Sequence, residues 1–527
     1  STCIKTLIDA LTMNGKPHKE LRLNPKSITD GQMFGKTDPA TNDWTDGIFS
    51  SLWRKSMKVK KTEALWLVLD GPVDPNWIEN LNSVMDENKI LTLANGDRLP
   101  MAPTVKLIFE PQNVDNASPA TVSRCGMVYM SSSGLDWQPL LAAWLPLKIE
   151  DQVTAIRLKQ LFECSFNKMY KWSMNNLTFV TSALQVHILQ TVFILLEALL
   201  PCAQKKKEKS GDPEQDREDD NNEENVTDTQ QVYIFALIWA FGGYLENSDR
   251  ERLEAYMREK IQLQFPQLPR GESIFNFTVD SVTGQWTHWN NQLKNYVPPD
   301  INPQSYGHIL IPNVSSISAE FLINCTVKVG KNALLIGEQG SAKSTLINCY
   351  LKKIKNDNLL VMHSNFSSTT TPQLFQKSIE GNIDRRMGSV FGPPVGKNMM
   401  IFVDDVSQPE INKWGDQVTN EFFRSLIESK GFYSLERPGD FHSILDIKYM
   451  AAMIHPGGGR NDIPQRVKRH FITQNLTIPT EEAIDQIFQT ISKGHFNSTR
   501  GFSIEVSNII AVLVPVTRKL WRITKEK

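Results

Sequence analysis

Apolar positions in this chain fall into two kinds of run. Short unbroken stretches occur at Leu65–Leu69, Ala333–Ile336 and Met399–Val403, each followed by glycine or aspartate. Unbroken apolar runs of this length predict parallel strands buried on both faces. Two longer stretches behave differently. Residues 177–200 could reach across a bilayer, but Gln185, His187, Gln190 and Glu197 interrupt them, which predicts a buried amphipathic helix. Residues 233–245 predict a second core helix. Between the two, residues 205–231 are strongly charged and almost devoid of large apolar side chains, which predicts an exposed, disordered insertion. The proline-containing stretch 297–307 predicts a boundary. The pattern divides the chain into an α/β block (1–145), a helical block (146–296), a second α/β block (297–475) and the start of a second helical block (476–527).

The two α/β blocks repeat one another. ALWLVLDGPVDPNWIENLNSVMD (64–86) and MMIFVDDVSQPEINKWGDQVTNEFFRSLIE (399–428) each run from apolar strand to Asp, then a proline-containing turn, then a tryptophan near the start of a helix. The repeat is too long for a solenoid and suits two copies of a whole module.

The second copy carries the chemistry. ALLIGEQGSAKST (333–345) places Gly337, Glu338, Gln339, Gly340, Ser341, Ala342, Lys343, Ser344 and Thr345 between a predicted strand and a predicted helix. That is the context of a phosphate-binding loop, in which backbone N–H groups converge on phosphate at a helix N-terminus. Lys343 would reach the terminal phosphates of ATP, and the Ser344 hydroxyl would ligate Mg²⁺. Ala342 stands where the pattern has its second glycine, a substitution that is inexpensive if the local φ is negative. Asp404, at the end of its strand, would hold Mg²⁺ through water, and Asp405 would orient the attacking water. In the first copy Asp70 keeps the metal-ligating carboxylate, but Gly71 replaces the second acid. Ser1-Thr2 before a helix-like segment resemble the tail of a phosphate loop. The first site is therefore expected to bind nucleotide without hydrolysing it.

Charge adds an exclusion. Lys and Arg number 57 against 58 Asp and Glu, a net charge of −1, which argues against a dedicated nucleic-acid or anionic-membrane binder. Cysteines at 3, 125, 164, 202, 325 and 349 form no C-x-x-C pair and read as reduced thiols of a cytosolic protein. The N-terminal segment lacks the pattern of a signal peptide.

Longer motifs resemble one family. WTDGIFSSLWRK (44–55), LDGPVDPNWIENLNSVMDENKILTLANGDRLPM (69–101) and SPATVSRCGMVYM (118–130) are similar to the second AAA+ module of axonemal dynein heavy chains, the outer-arm type in particular. GEQGSAKST (337–345), FVDDVSQPEINKWGDQVTNE (402–421) and PGGGRNDIPQRVKRHF (456–471) are similar to the third. The resemblance implies P-loop modules, each with a parallel-sheet large part and a helical lid. It places the chain in a ring that drives microtubule-based movement in cilia or flagella, in the cytoskeleton of the axoneme. Implied partners are the other modules of the heavy chain, intermediate and light chains, and microtubules through a stalk. The first site would be structural and the second regulatory, with slow hydrolysis. The alternatives are an autonomous P-loop ATPase and an inactive scaffold.

The same resemblance implies arginine fingers. Arg124 would serve the module before the first copy. Arg469 aligns with it and would serve the Asp70 site, with Arg466 as the runner-up. The strand end lacks the frequent sensor asparagine; His455 could substitute for it, although a lone histidine beside a turn is more often structural. The Asn95-Gly96 pair predicts a type I′ hairpin, and RKSMKVKK (54–61) a solvated basic stretch.

Overall fold

The computed structural model describes residues 1–60, 62–131, 135–200, 222–261, 263–269, 271–280, 284–293, 309–355, 357–458, 460–497 and 500–526. The boundary stretch 297–307 lies outside them, as do residues 205–221 of the expected insertion.

Two parallel sheets organise the chain. The first has three strands, His18–Leu23, Ala64–Leu69 and Val105–Phe109, with Ala64–Leu69 in the middle. The second has five, in the spatial order Leu359–Asn365, Asn398–Asp404, Ile447–Met453, Asn332–Gly337 and Phe471–Leu476. The predicted apolar runs are the central strands, with Leu67, Leu69, Leu334, Ile336, Ile401 and Val403 buried under helices. The repeat holds in space as well. Leu69 pairs with Leu23 on one side and Phe109 on the other, while Asp404 and Val403 pair with Asn365 and Ala451 at matching places in the second sheet. After Arg124 the first copy departs from the second. Phe471–Leu476 is a paired strand, whereas Met127–Met130 is irregular and exposed, Tyr129 by 90%. Among the described residues nothing lies beside this segment to complete a backbone ladder, and an unpaired strand is not stable alone.

Along the chain the helical block lies between the two sheets. Helices Gln152–Asn176, Gln185–Leu199 and Asn222–Gly242 bury Phe162, Phe166, Val192, Tyr233 and Phe241 in one core. Asp151 starts the first of these by accepting from the N–H groups of Val153 and Thr154. Leu322 and Cys325 of helix Val314–Lys328 enter the same core, so the block is continuous with the second α/β unit. Among the described residues no helix is long and apolar enough to cross a membrane. One expectation needs correction: Asn222–Gln231 are not an exposed loop but open the helix Asn222–Gly242. Their charged sequence carries the helical turns that lead into the apolar half, because a helix whose far end is buried propagates at small expense per residue.

Two smaller expectations also change. In the hairpin Ile90–Thr92/Arg98–Pro100 only Gly96 has positive φ, at 91°, and its N–H bonds Leu93 O at 3.0 Å. The loop is thus a three-residue turn with glycine in the left-handed position, not type I′. The basic stretch is not merely solvated. Arg54 pairs with Asp46 at 2.7 Å and Asp97 at 2.5 Å, and Lys55 reaches Gly439 O at 2.6 Å in the second copy.

Candidate functional site

At the C-terminal end of the second sheet, strand Asn332–Gly337 turns through Glu338–Ala342 into helix Lys343–Ile354. The Ser341 hydroxyl donates to Glu338 O at 2.8 Å and closes the loop. Lys343 is only 8% exposed, and its Nζ donates to Gly337 O and Glu338 O, both at 2.8 Å. The ammonium thus sits inside the loop that would receive phosphate. Burial lowers its pKa, against which the Asp404 and Asp405 charges push upward. Ser344 and Thr345 occupy the first helical turn, where N–H groups have no intrahelical partner.

The loop forms, but not as expected at Ala342. Its φ is +62° and ψ +24°, the left-handed region that a Cβ disfavours by about 1–2 kcal/mol. Ala342→Gly is expected to raise stability by about 1 kcal/mol, read as an upward shift of the melting temperature. An unchanged or lowered melting temperature would show that the alanine is unstrained.

Asp404 and Asp405 close the other side. Asp405 also has positive φ, +54°, and its N–H bonds Asp404 Oδ1 at 3.0 Å. Burial, then the neighbouring Asp404 charge, raise the Asp405 pKa, which moves this carboxylate toward proton acceptance. The Ser344 hydroxyl and the Asp404 carboxylate offer the hard oxygen donors that Mg²⁺ prefers. Among the described residues no group of three or more His, Cys, Asp or Glu is placed to hold a metal ion. The residues at this site fit a magnesium nucleotide.

The first acid turn is different. Asp70 is buried and its carboxylate is taken by three guanidinium groups. Arg22 lies 2.8 Å and Arg424 3.2 Å from Oδ2, and Arg466 bonds Oδ1. Arg424, 1% exposed, also donates to Asp70 O at 2.8 Å. Burial alone would raise the Asp70 carboxyl, but Arg424, Arg466 and Arg22 overcome it and lower it to about 2. A metal ion at Asp70 would have to displace one of these arginines, so this carboxylate, as arranged, does not fit a resident cation. The missing second acid has a steric reason: a Cβ on Gly71 would lie 2.4 Å from Asn24 Oδ1. Asn24 is itself committed, donating to Glu421 O at 3.1 Å and to its carboxylate at 3.0 Å.

The structure brings some expected residues together and separates others. Arg466 contacts Asp70 directly. Arg469 pairs with Glu428, which in turn binds Arg424 at 2.6 Å and faces Ser1 Oγ at 3.3 Å. Ser1 Oγ also lies 3.4 Å from Arg22 and 3.1 Å from Glu110, beside the Asp70 cluster. Arg124 joins neither site; it pairs with Asp86 and donates to Ala120 O at 2.8 Å. His455 bonds Asn475 Oδ1 at 2.8 Å. Arg22, Arg424 and the buried Lys26, which bridges Asp74 and Asp416, were not singled out from the sequence. The available signal was an arginine set among apolar residues in FFRSLIE (422–428).

A five-stranded parallel sheet with one strand between the phosphate-loop strand and the acid strand, flanked by helices, defines a P-loop AAA-type α/β protein. The sequence matches three family descriptions: an AAA domain of the dynein-related subfamily over residues 1–125, a dynein heavy chain AAA lid domain over 158–291, and a P-loop containing dynein motor region over 299–479. It is 50% identical to rat dynein axonemal heavy chain 5 over all of this chain and 15% of that protein. It is 47% identical to mouse dynein axonemal heavy chain 8, over all of this chain and 11% of that protein. It is 41% identical to the gamma chain of the flagellar outer arm dynein of Chlamydomonas reinhardtii, over 99% of this chain and 11% of that protein. The chain belongs to the axonemal dynein heavy chain family, and spans well under a fifth of the length of these relatives.

Proposed function

We propose that this chain supplies two nucleotide sites of a dynein motor ring that uses ATP to drive microtubule-based movement in cilia or flagella. The observation that carries the reading is the buried Lys343 ammonium, held on the Gly337 and Glu338 carbonyls, with the Asp404 and Asp405 charges facing it from across the loop. In this reading Lys343 and the loop N–H groups bind the β- and γ-phosphates of ATP. Ser344 and Asp404 hold Mg²⁺, which when bound neutralises charge on the phosphate oxygens. Asp405 orients the attacking water. Its carboxylate is one methylene shorter than glutamate, which supports slow turnover and a regulatory role, with nucleotide acting as a conformational switch.

The first site is structural in this reading. Gly71 leaves no room for a water-orienting side chain, while Arg424 and Arg466 reach it from the second module. Either Arg466 or Arg469 serves as the finger toward this nucleotide, and Arg124 serves the module before it. The division into large parts (1–145, 297–475) and lids (146–296, 476–527) belongs to the same proposal. So do assembly with other heavy-chain modules, intermediate and light chains, and microtubules, and residence in the axoneme.

The test is direct ATP binding by the purified chain. Lys343→Ala is expected to weaken ATP binding at the second site by about 10- to 100-fold, since it removes hydrogen bonds to a charged group. Unchanged affinity in a folded Lys343→Ala protein would overturn the reading.

A further inference from the structure

The segment leaving strand Ile447–Met453 has no role in the site described above, although the sheet aims it into that site. This strand lies between the phosphate-loop strand and the acid strand. Its Met453 pairs with Ile336, one residue before Gly337, and its Ala451 pairs with Val403, one residue before Asp404. The Val406 N–H bonds Ala452 O at 3.0 Å, which ties the acid turn to the same strand end. The chain therefore emerges between Lys343 and Asp404–Asp405, and then turns sharply at Gly457 and Gly458, with φ of +120° and +59°. Gly457 and Arg460 exchange two backbone hydrogen bonds of 3.1 Å each, which fixes Arg460 at the close of the turn.

Arg460 differs from the arginines of the first site. Arg22, Arg424, Arg466 and Arg469 are all paired with carboxylates, whereas Arg460 is exposed and has no side-chain hydrogen bond or ion pair among the described residues. Its charge reaches the site nevertheless. Burial and the nearer charges act first, Asp404 and Asp405 on Lys343, and Asp404 and Lys343 on Asp405; after them Arg460 pushes the pKa of both groups downward. A guanidinium without a carboxylate partner, whose charge acts on both the phosphate-binding lysine and the acid turn, lacks one thing, an anion to pair with.

We propose that Arg460 is a ligand, from the same module, of the terminal phosphate of a nucleoside triphosphate bound at the Lys343 loop, and so sets the preference of this site for triphosphate over diphosphate. The inference rests on the nucleotide reading given above and deepens it. The placement explains the choice of phosphate. Lys343 and the loop cradle the inner phosphates, while the end of the Ile447–Met453 strand faces the space before Asp405, where the outermost phosphate would stand.

The experiment compares equilibrium binding of ADP and of a non-hydrolysable ATP analogue to the full chain, with Arg460→Ala, Arg460→Lys and Lys343→Ala measured in parallel. Arg460→Ala is expected to weaken analogue binding about tenfold and to change ADP binding less than twofold, with Arg460→Lys in between. Equal weakening of both nucleotides, or of neither, while Lys343→Ala weakens binding at the second site would overturn the assignment of Arg460 and leave the nucleotide site standing. Undiminished binding by Lys343→Ala would overturn the nucleotide reading itself, and this inference with it. Arg460 is exposed, so the variants are expected to melt at the parent temperature without nucleotide. A lowered melting temperature with equal loss of both ligands counts against the proposal.

Discussion

Replacing Asp70 with alanine is expected to destabilise the chain by about 3–5 kcal/mol, because it strips a buried cluster of its central negative charge. Arg424 would keep Glu421 at 3.0 Å and Glu428 at 2.6 Å, and Arg22 would keep Glu110 at 2.7 Å. Arg466 would keep no carboxylate partner among the described residues, where Asp70 is the one it pairs with, and its Nη1 is already buried without a hydrogen bond. The loss should fall at the junction of the two modules, where Asp70 and Asn24 from the first meet Arg424 and Glu421 from the second. Denaturant unfolding measures the magnitude, and hydrogen exchange in His18–Leu23 and Val418–Ser429 locates it. Removing Arg466 together with Asp70, as Asp70→Ala/Arg466→Met, should recover more than 1 kcal/mol relative to the sum of the single variants, the mark of a direct pair. A midpoint shift in Asp70→Ala equivalent to less than 1 kcal/mol would show that the cluster contributes little to holding the modules together.

The same residues show what could and could not be read from sequence. Strands on which both faces are buried must be apolar throughout, so Leu65–Leu69 and Met399–Val403 stood out, and the acid after each was legible with them. The phosphate loop was legible because its chemistry is local: Gly337 to Thr345 are consecutive. The Asp70 cluster is not local. Arg22 and Arg424 are far apart in sequence, and an arginine in FFRSLIE looks the same whether it meets solvent or a buried carboxylate. The sign of φ at Ala342 was also hidden, because the loop's shape, and not the identity of residue 342, sets it. Gly71 was read as a missing catalytic group; the structure adds that Asn24 occupies the space such a group would need. The charged start of helix Asn222–Gly242 was misread because composition reports whether a segment can bury a core, and not whether it continues a helix that does.

Acidification should loosen the junction between the first lid and the second sheet over a defined window. His187 sits on helix Gln185–Leu199, 7% exposed, and burial lowers its pKa from 6.5 to about 4, with the charges of Lys468 and Arg469 adding to the effect. Lys468 is itself buried and held by Asp462, Thr181 and Ser182, the groups that stitch the lid to the sheet. Above about pH 7 the imidazole is neutral in both folded and unfolded chains and contributes no pH dependence. Between 6.5 and 4 the unfolded chain takes up a proton that the folded chain refuses, so stability falls as pH falls. The difference of some 2.5 units corresponds to about 3 kcal/mol by pH 4, below which both states are protonated and the loss from this residue stops. His470, also lowered to about 4 by burial and by Arg469, should add to the slope over the same window. The check is the unfolding free energy of the parent and of His187→Gln between pH 7.5 and 4. The variant is expected to lose about 3 kcal/mol less across that range. Identical pH profiles for the two proteins would mean that His187 takes up its proton while the junction stays closed, and would refute the assignment.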